Sequence, residues 1–458
     1  MKLFANPWAM KSLEVKLFNR RLDKGLARVV GKPGSLRFRL ARDIAGVMVI
    51  QALSMGLTFA VSVVLARLLG VREFGLYSLA MSVLGLLVVP ATFGFPQLLV
   101  REIAAYRVKG EWGLILGLLR FAQRVSLLAS LAIALLSSLV LWFLSDRFLG
   151  EAVRVLALAF VALPFWALLE LHGASLRGFE QILVGQWVSM VMRPLCFLAL
   201  VGVAWVFLGG IKDASLALGL HIVAAGIALA FAFNLLRSQV NCSLSSNAVS
   251  QNPAIWTRSA LSLAFFALLN LIPQHAGILM LGWMRSAEEV GLYKVAYQTA
   301  SLIPFGLMAV STVIAPTLTQ LYAMGDKAKL GKVMFAASAV ATAFALPFLL
   351  LFTIGGKWFL TVAFGEHFRP SSVPLFILAL GQFVFVAFGP LLLFLVMIGQ
   401  EHKTTLVTGI TAIFNVVMNA IFIPIWHTSG AALATSISLV FLKILALFHI
   451  IRSKSCGA

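Results

Sequence analysis

Apolar residues run along this chain in near-continuous stretches, each bounded by a short polar segment. The stretches cover residues 44–66, 74–95, 124–145, 152–174, 182–208, 214–236, 259–283, 291–314, 332–355, 372–398, 404–425 and 430–451. About 20 apolar residues in a helix cover the roughly 30 Å hydrocarbon core of a bilayer. The pattern therefore predicts twelve membrane-crossing helices. Strands of a membrane barrel would alternate apolar and polar positions over segments of about ten residues, a pattern these stretches lack. Composition sharpens the picture: the 458 residues are 61% hydrophobic and 11% charged, against about 25% charged in soluble domains. A soluble globular fold is excluded.

The net charge of +20 would suggest nucleic acid as the partner of a soluble protein. Here its distribution gives a different meaning. On the side of the N-terminus the predicted loops carry 25 Lys and Arg, against 8 on the opposite side and 3 within spans. The positive-inside rule then places both termini in the cytoplasm of a multi-pass cytoplasmic-membrane protein, with no nucleic-acid partner. Residues 1–43 are basic, and Phe18, Leu22, Leu26 and Val29 recur at helical spacing. This predicts an amphipathic helix on the anionic cytoplasmic leaflet, with membrane lipid as its partner. Residues 44–236 are expected to form a six-helix bundle, 237–258 a polar cytoplasmic linker, and 259–458 a second six-helix bundle. The longest outer segment, Gly356 to Ser371, is too short for a folded domain. Cys196, Cys242 and Cys456 have no metal-ligand spacing, and no metal or other cofactor is expected.

The two halves repeat one another. EFGLYSLAMSVLGLL from Glu73 matches EVGLYKVAYQTASLI from Glu289 at an offset of 216 residues, and LRGFEQ from Leu176 matches MIGQEH from Met397 at 221. Six spans separate each pair, so the halves insert in the same orientation and their two-fold axis lies along the membrane normal. Polar positions follow the repeat. Gln51, Ser54, Thr58 and Ser62 share a face of the first span, and Ser54 and Thr58 map onto Asn270 and Gln274 of the seventh. Ser78, Ser82 and Gly85 map onto Lys294, Gln298 and Ser301. Gln186, Ser189 and Arg193 find a like spacing in Thr408, Thr411 and Asn415, with a one-residue slip. Polar side chains in lipid are costly, and six such stripes obeying the repeat predict a central water-filled cavity.

Arg193 falls near the middle of its span with no acid at i±3 or i±4, which suits an anion-binding role. Lys294 and Lys443 are close enough to span ends to snorkel to the interfaces. Glu170 and His275 are weaker candidates for binding a coupling ion, Glu170 being expected near Arg177 at the interface. No nucleotide-binding, metalloprotease or serine-hydrolase motif occurs, and no carboxylate pair stands on an outer loop, so the chain is not expected to be an enzyme.

LARLLGVREFGLYSLAMSVLGLLVVPATFGFPQLLVREIA (Leu65 to Ala104), ILMLGWMRSAEEVGLYKVAYQTASLIPFGLMAVSTVIAP (Ile278 to Pro316) and SGAALATSISLV (Ser429 to Val440) resemble the Wzx-type polysaccharide and O-antigen flippases. These belong to the superfamily of multidrug (MATE), oligosaccharidyl-lipid and polysaccharide exporters. The resemblance implies an all-α, MATE-like pair of six-helix bundles around a central cavity. Its implied substrate is a polyprenyl-pyrophosphate-linked oligosaccharide moved to the outer leaflet by alternating access for surface polysaccharide such as lipopolysaccharide, with a polymerase and glycosyltransferases as partners. Arg193, Thr58, Asn270, Gln274, Gln298 and Asn415 then become the candidate substrate contacts. Many relatives carry an acid just before LMLG of the seventh span, where this chain has Gly277. A MATE-type exporter of organic cations is the main alternative, and a membrane glycosyltransferase or polymerase the lesser one.

Overall fold

A computed structural model describes residues 36–143, 150–211, 213–241, 253–324 and 326–455. The predicted amphipathic helix and half of the linker, residues 242–252, lie outside them. The described residues are nearly all helical: α1 (Leu36–Thr92), α2 (Phe95–Lys109), α3 (Trp112–Phe143), α4 (Gly150–Gly178), α5 (Ile182–Gln186), a π-helical turn (Trp187–Met192), α6 (Arg193–Leu208) and α7 (Ala214–Asn241) form the first half. The second half contains α8 (Pro253–Met284), α9 (Ala287–Ala300), α10 (Phe305–Ala323), α11 (Lys327–Ile354), α12 (Gly356–Phe364), a 3₁₀ turn (Glu366–Ser371), α13 (Ser372–Ala387), α14 (Leu391–Met397) and α15 (Glu401–Ser455).

By length and composition, nine helical segments among the described residues can cross a membrane, or ten when α9 and α10, bent by 44°, count as one broken span. Two of the nine are 49 and 51 residues long. A straight helix of 49 residues would run roughly 73 Å, more than twice the hydrocarbon thickness. Both are interrupted, α1 at Gly70 (φ 73°) and α15 at His427 (φ 55°). Nine or ten is fewer than the twelve expected, each of the two long segments being counted once although it is broken at these residues. Prolines 90, 164, 273, 347 and 424 lie inside helices, which membrane helices tolerate because neighbours satisfy the freed backbone groups.

The halves meet through α1 and α2 of the first and chiefly α8 and α9 of the second. Where they meet, the sequence repeat becomes a reciprocal contact. A Cβ on Gly75 would lie 1.8 Å from the carbonyl oxygen of Ala287, and one on Gly291 would lie 2.3 Å from that of Val71. Gly75 and Gly291 are repeat mates at offset 216, and so are Val71 and Ala287. Each half thus presents the same surface to the other, as in an isologous two-fold interface. Arg72 pairs with its own repeat position, Glu288, at 3.6 Å, and with Glu151 at 2.8 Å.

The rest of the motif acts in parallel in each half. Glu73 accepts from the backbone N–H of Ala214 at the start of α7 (2.8 Å), and Glu289 meets His427 at the break of α15 (3.0 Å). Tyr77 reaches His221 of α7, and Tyr293 reaches Thr435 of α15. Both corners therefore lie at one end of the molecule, as a repeat axis along the membrane normal requires.

The Gly356 to Ser371 segment is structured: Phe364 packs edge-on to Phe59 and Phe368 to Phe74, while Arg67 donates to the carbonyls of Val362 and Ala363. The second repeat match needs a shifted register. Left-handed residues that end the helices fall at Glu180 and Gly399, with the same 6→1 closing bonds (Gln181 N–H to Leu176, Gln400 N–H to Leu395). That offset is 219, so Gly178 and Gly399 are not equivalent.

Candidate functional site

A cavity of about 310 Å³ lies on the seam between the halves. Gly85 and Thr92 of α1, Gln97 of α2, Trp166 and Glu170 of α4 and His275 of α8 line it, with apolar residues between them. The seam is tight on both sides of this space. At the corner end the reciprocal glycines bring backbone against backbone. At the other end a Cβ on Gly94 (φ 75°) would lie 2.2 Å from the carbonyl of Ala260, and Trp256 Nε1 donates to Tyr106 Oη at 3.1 Å.

Glu170 and His275 thus face one cavity, and Glu170 also lies within electrostatic reach of Arg177, as its position in the sequence suggested. One turn separates it from Trp166, so both project from the same face of α4. His275 packs against Gly85, where an added Cβ would come within 3.0 Å of the ring, and its Nδ1 is buried without a hydrogen-bond partner. Gly277 is explained by its neighbour: a Cβ there would lie 2.8 Å from Tyr293 Oη. Tyr293 occupies the space an acidic side chain would need.

Arg193 stands behind the cavity wall. Its guanidinium carbon sits 4.0 Å above the Trp166 ring, a cation–π contact that desolvation strengthens. Its Nε is buried without a partner, and no carboxylate lies within ion-pair distance among the described residues. His221 stacks on Trp166 and on Phe197 and shares a 2.7 Å hydrogen bond with Tyr77 Oη, while its Nε2 is buried and unpartnered.

Local sequence explains why α5 and α6 are joined by a π turn. Pro194 cannot donate to the carbonyl of Met190 four residues back. That carbonyl instead accepts from Ser54 Oγ of α1 at 3.1 Å. Ser54 therefore ties α1 to the bulge beside Arg193. The 219-residue register of the helix ends puts Arg193 opposite position 412 and not opposite Asn415.

Other candidates fall elsewhere. Asn415 is fully buried and donates to Ser438 Oγ (3.1 Å), while Asn419 donates to its Oδ1 (3.1 Å). It holds the two parts of α15 together. Asn270 and Gln274 are exposed, with their amides donating to carbonyls of their own helix. The cavity is met instead by Ala267, Leu271 and His275, one residue on and so about 100° round the helix. Thr58 is exposed and its carbonyl accepts from Ser62; Gln298 is half-buried at the end of α9, where its carbonyl accepts from Ser301. Neither lines the cavity. Lys443 does not snorkel: it is 2% exposed, donates to the carbonyl of Gly389 at 2.6 Å and lies 3.9 Å over the Phe385 ring.

With this geometry in hand, similarity to known proteins places the chain. Residues 40–322 match the family described as polysaccharide biosynthesis protein. The chain belongs to that family. It is 22% identical to the probable low-salt glycan biosynthesis flippase Agl15 of Haloferax volcanii over 405 residues, covering 87% of this chain and 81% of the relative. In fold it is similar to the lipid II flippase MurJ in an inward closed conformation (TM-score 0.67, 14% identity, 88% of this chain and 86% of that one). It is similar also to an inward-facing MATE family transporter of the MOP superfamily (TM-score 0.69, 12% identity, 95% and 98%). The MATE-like architecture expected from the sequence is that of this family member.

Proposed function

We propose that the chain is a flippase that carries a polyprenyl-pyrophosphate-linked oligosaccharide across the cytoplasmic membrane for surface polysaccharide synthesis, and that it catalyses no bond change. The observation that carries this reading is the cavity on the seam between repeat-related halves, in a member of a polysaccharide biosynthesis family. At about 310 Å³ it is at the small end of ligand pockets, so a lipid-linked oligosaccharide needs one end of the seam to open. Two contacts close the seam and serve as gates: the reciprocal glycine contact at one end, and Gly94 against Ala260 at the other. Opening them in turn gives alternating access. The charge bias assigns the corner end to the outside and the Gly94 end to the cytoplasm.

Arg193 supplies the positive charge for a pyrophosphate, reached when Trp166 swings away, and Glu170 and His275 are placed to take up a coupling proton or cation. The test is deletion of the gene: the lipid-linked repeat unit should accumulate on the cytoplasmic side while surface polysaccharide is lost. Glu170 on the cavity wall also favours a second reading, a MATE-type cation exporter. Unchanged glycolipid together with new sensitivity to cationic dyes would select it.

A further inference from the structure

A second cavity, of about 500 Å³, lies away from the seam, on the flank of the first half. α3 and α7 each pack on α4 far more closely than on one another, and the space between them forms a lateral groove with α4 as its floor. α4 thus faces two ways, showing Trp166 and Glu170 to the central cavity and Leu168 and His172 to the groove.

The groove is polar at one end only. Gln123 and Arg124 of α3 and Asn234 of α7 gather there, and Leu127, Leu229 and Gly226 line its length. That polar end falls at a definite depth. Residues 125–143 of α3 carry no charge, and neither do residues 214–233 of α7. Nineteen or twenty helical residues rise about 30 Å, the thickness of the hydrocarbon core. Arg124 and Asn234 therefore sit at the headgroup level of the basic, expected cytoplasmic, end, with exposed Arg120 and Arg237 nearby along the same helices. Arg124 is exposed and has no carboxylate within 4 Å among the described residues. His172 is already engaged: Nδ1–H donates to the carbonyl of Leu168 at 2.7 Å, leaving Nε2 to accept from Gln123 at 3.4 Å. The free donor at the groove's mouth is the Arg124 guanidinium.

We propose that this groove binds an anionic phospholipid of the adjoining leaflet, its phosphate on Arg124 and one acyl chain along the apolar wall toward Gly226. The separation from Asn234 to Gly226 is eight residues of α7, roughly 12 Å of chain depth. An oligosaccharide suits the groove poorly, because its apolar length offers a sugar no hydrogen bonds. The inference rests on the chain's lying in a membrane and not on which substrate it moves.

Native mass spectrometry of the full-length protein, equilibrated in detergent with phosphatidylglycerol, phosphatidylcholine or a polyprenyl phosphate, tests it. Phosphatidylglycerol should be retained roughly fivefold better than phosphatidylcholine: both offer the phosphate to Arg124, but the choline ammonium of the second places another cation beside the guanidinium. Arg124→Gln should remove that preference and Arg124→Lys should keep part of it. Gly226→Leu should lower retention of both phospholipids, since a Cβ there meets only Phe165 at 4.0 Å and the rest of the side chain can enter the groove. Equal retention of the two phospholipids, insensitivity to both Arg124→Gln and Gly226→Leu, or preference for the polyprenyl phosphate over phosphatidylglycerol would each overturn the proposal. None of these outcomes bears on whether a glycolipid accumulates in a deletion strain.

Discussion

The seam at the corner end can be opened by a single methyl group. A Cβ on Gly75 would lie 1.8 Å from Ala287 O, and real Cβ atoms essentially never come within 3.0 Å of a neighbour. Gly75→Ala therefore forces α1 and α9 apart by at least about 1.2 Å, and because the obstacle is backbone, no side-chain rotation relieves it. Overpacking of this kind costs about 1–3 kcal/mol. If the contact closes the outer gate, that cost falls on the outward-closed state alone and shifts its population by roughly 5- to 150-fold. The repeat predicts the same result for Gly291→Ala, with Val71 O at 2.3 Å.

The readout is a cysteine at Ala267, which lines the seam cavity, reacted from outside intact cells with an impermeant maleimide. Labelling should rise in both glycine variants and stay at the parental rate in Gly56→Ala, where nothing lies within 4 Å. Immunoblots of membranes should show parental protein levels. Parental labelling and transport in both Gly75→Ala and Gly291→Ala would refute the assignment of this contact as a gate.

The other expected outcomes are briefer. Arg193→Lys should retain part of the transport measured by complementation, because a point charge still attracts phosphate; Arg193→Ala should lose it at normal membrane abundance, since no ion pair is broken. Asn415→Ala should act differently, lowering abundance by removing one hydrogen bond from each of Ser438 and Asn419 at about 0.5–1.5 kcal/mol apiece, with transport per molecule unchanged; a loss of specific activity would return Asn415 to the substrate path. Cysteines at Asp213, His367 and Ser429 should react with an impermeant reagent from outside and one at Gly110 only after permeabilisation; one reversed site would remove the twelve-span topology with cytoplasmic termini.

What the sequence disclosed and what it hid divide along physical lines. Apolar runs report directly on solvent, so the membrane helices and the repeat at offset 216 were legible. The contact made by that repeat was legible in retrospect, since glycines in EFGLY and EVGLY mark places where only backbone fits. Polar stripes were read less well, because a Ser, Thr or Asn that bonds a carbonyl on a neighbouring helix looks in sequence like one facing water. Ser54 and Asn415 are of this kind. On α8, apolar Ala267 and Leu271 line the cavity while Asn270 and Gln274 do not, so the face could not be chosen by polarity. Trp166 was invisible for the same reason: in an apolar run a wall of the site and a packing residue have the same letter. The register hid a further step, since the helix ends repeat at 219 residues and not at the 222 that would match Arg193 with Asn415.

The π turn bears on how the first half transmits a change at its cavity. An uninterrupted helix keeps its carbonyls for itself, but Pro194 releases Met190 O, and Ser54 of α1 takes it. Three residues beyond Met190 stands Arg193, whose guanidinium rests on Trp166 of α4. A ligand anion that draws Arg193 off the ring therefore pulls on the segment to which the first part of α1 is tied, and Gly75 lies five residues beyond the break at Gly70 that ends that part. Ser54→Ala separates this from simple packing. If the bond transmits the anion's effect, the variant should still bind substrate but lose the substrate-dependent rise in labelling at Ala267→Cys. If Ser54 serves only as glue between helices, labelling should change equally with and without substrate, and protein abundance should fall with it.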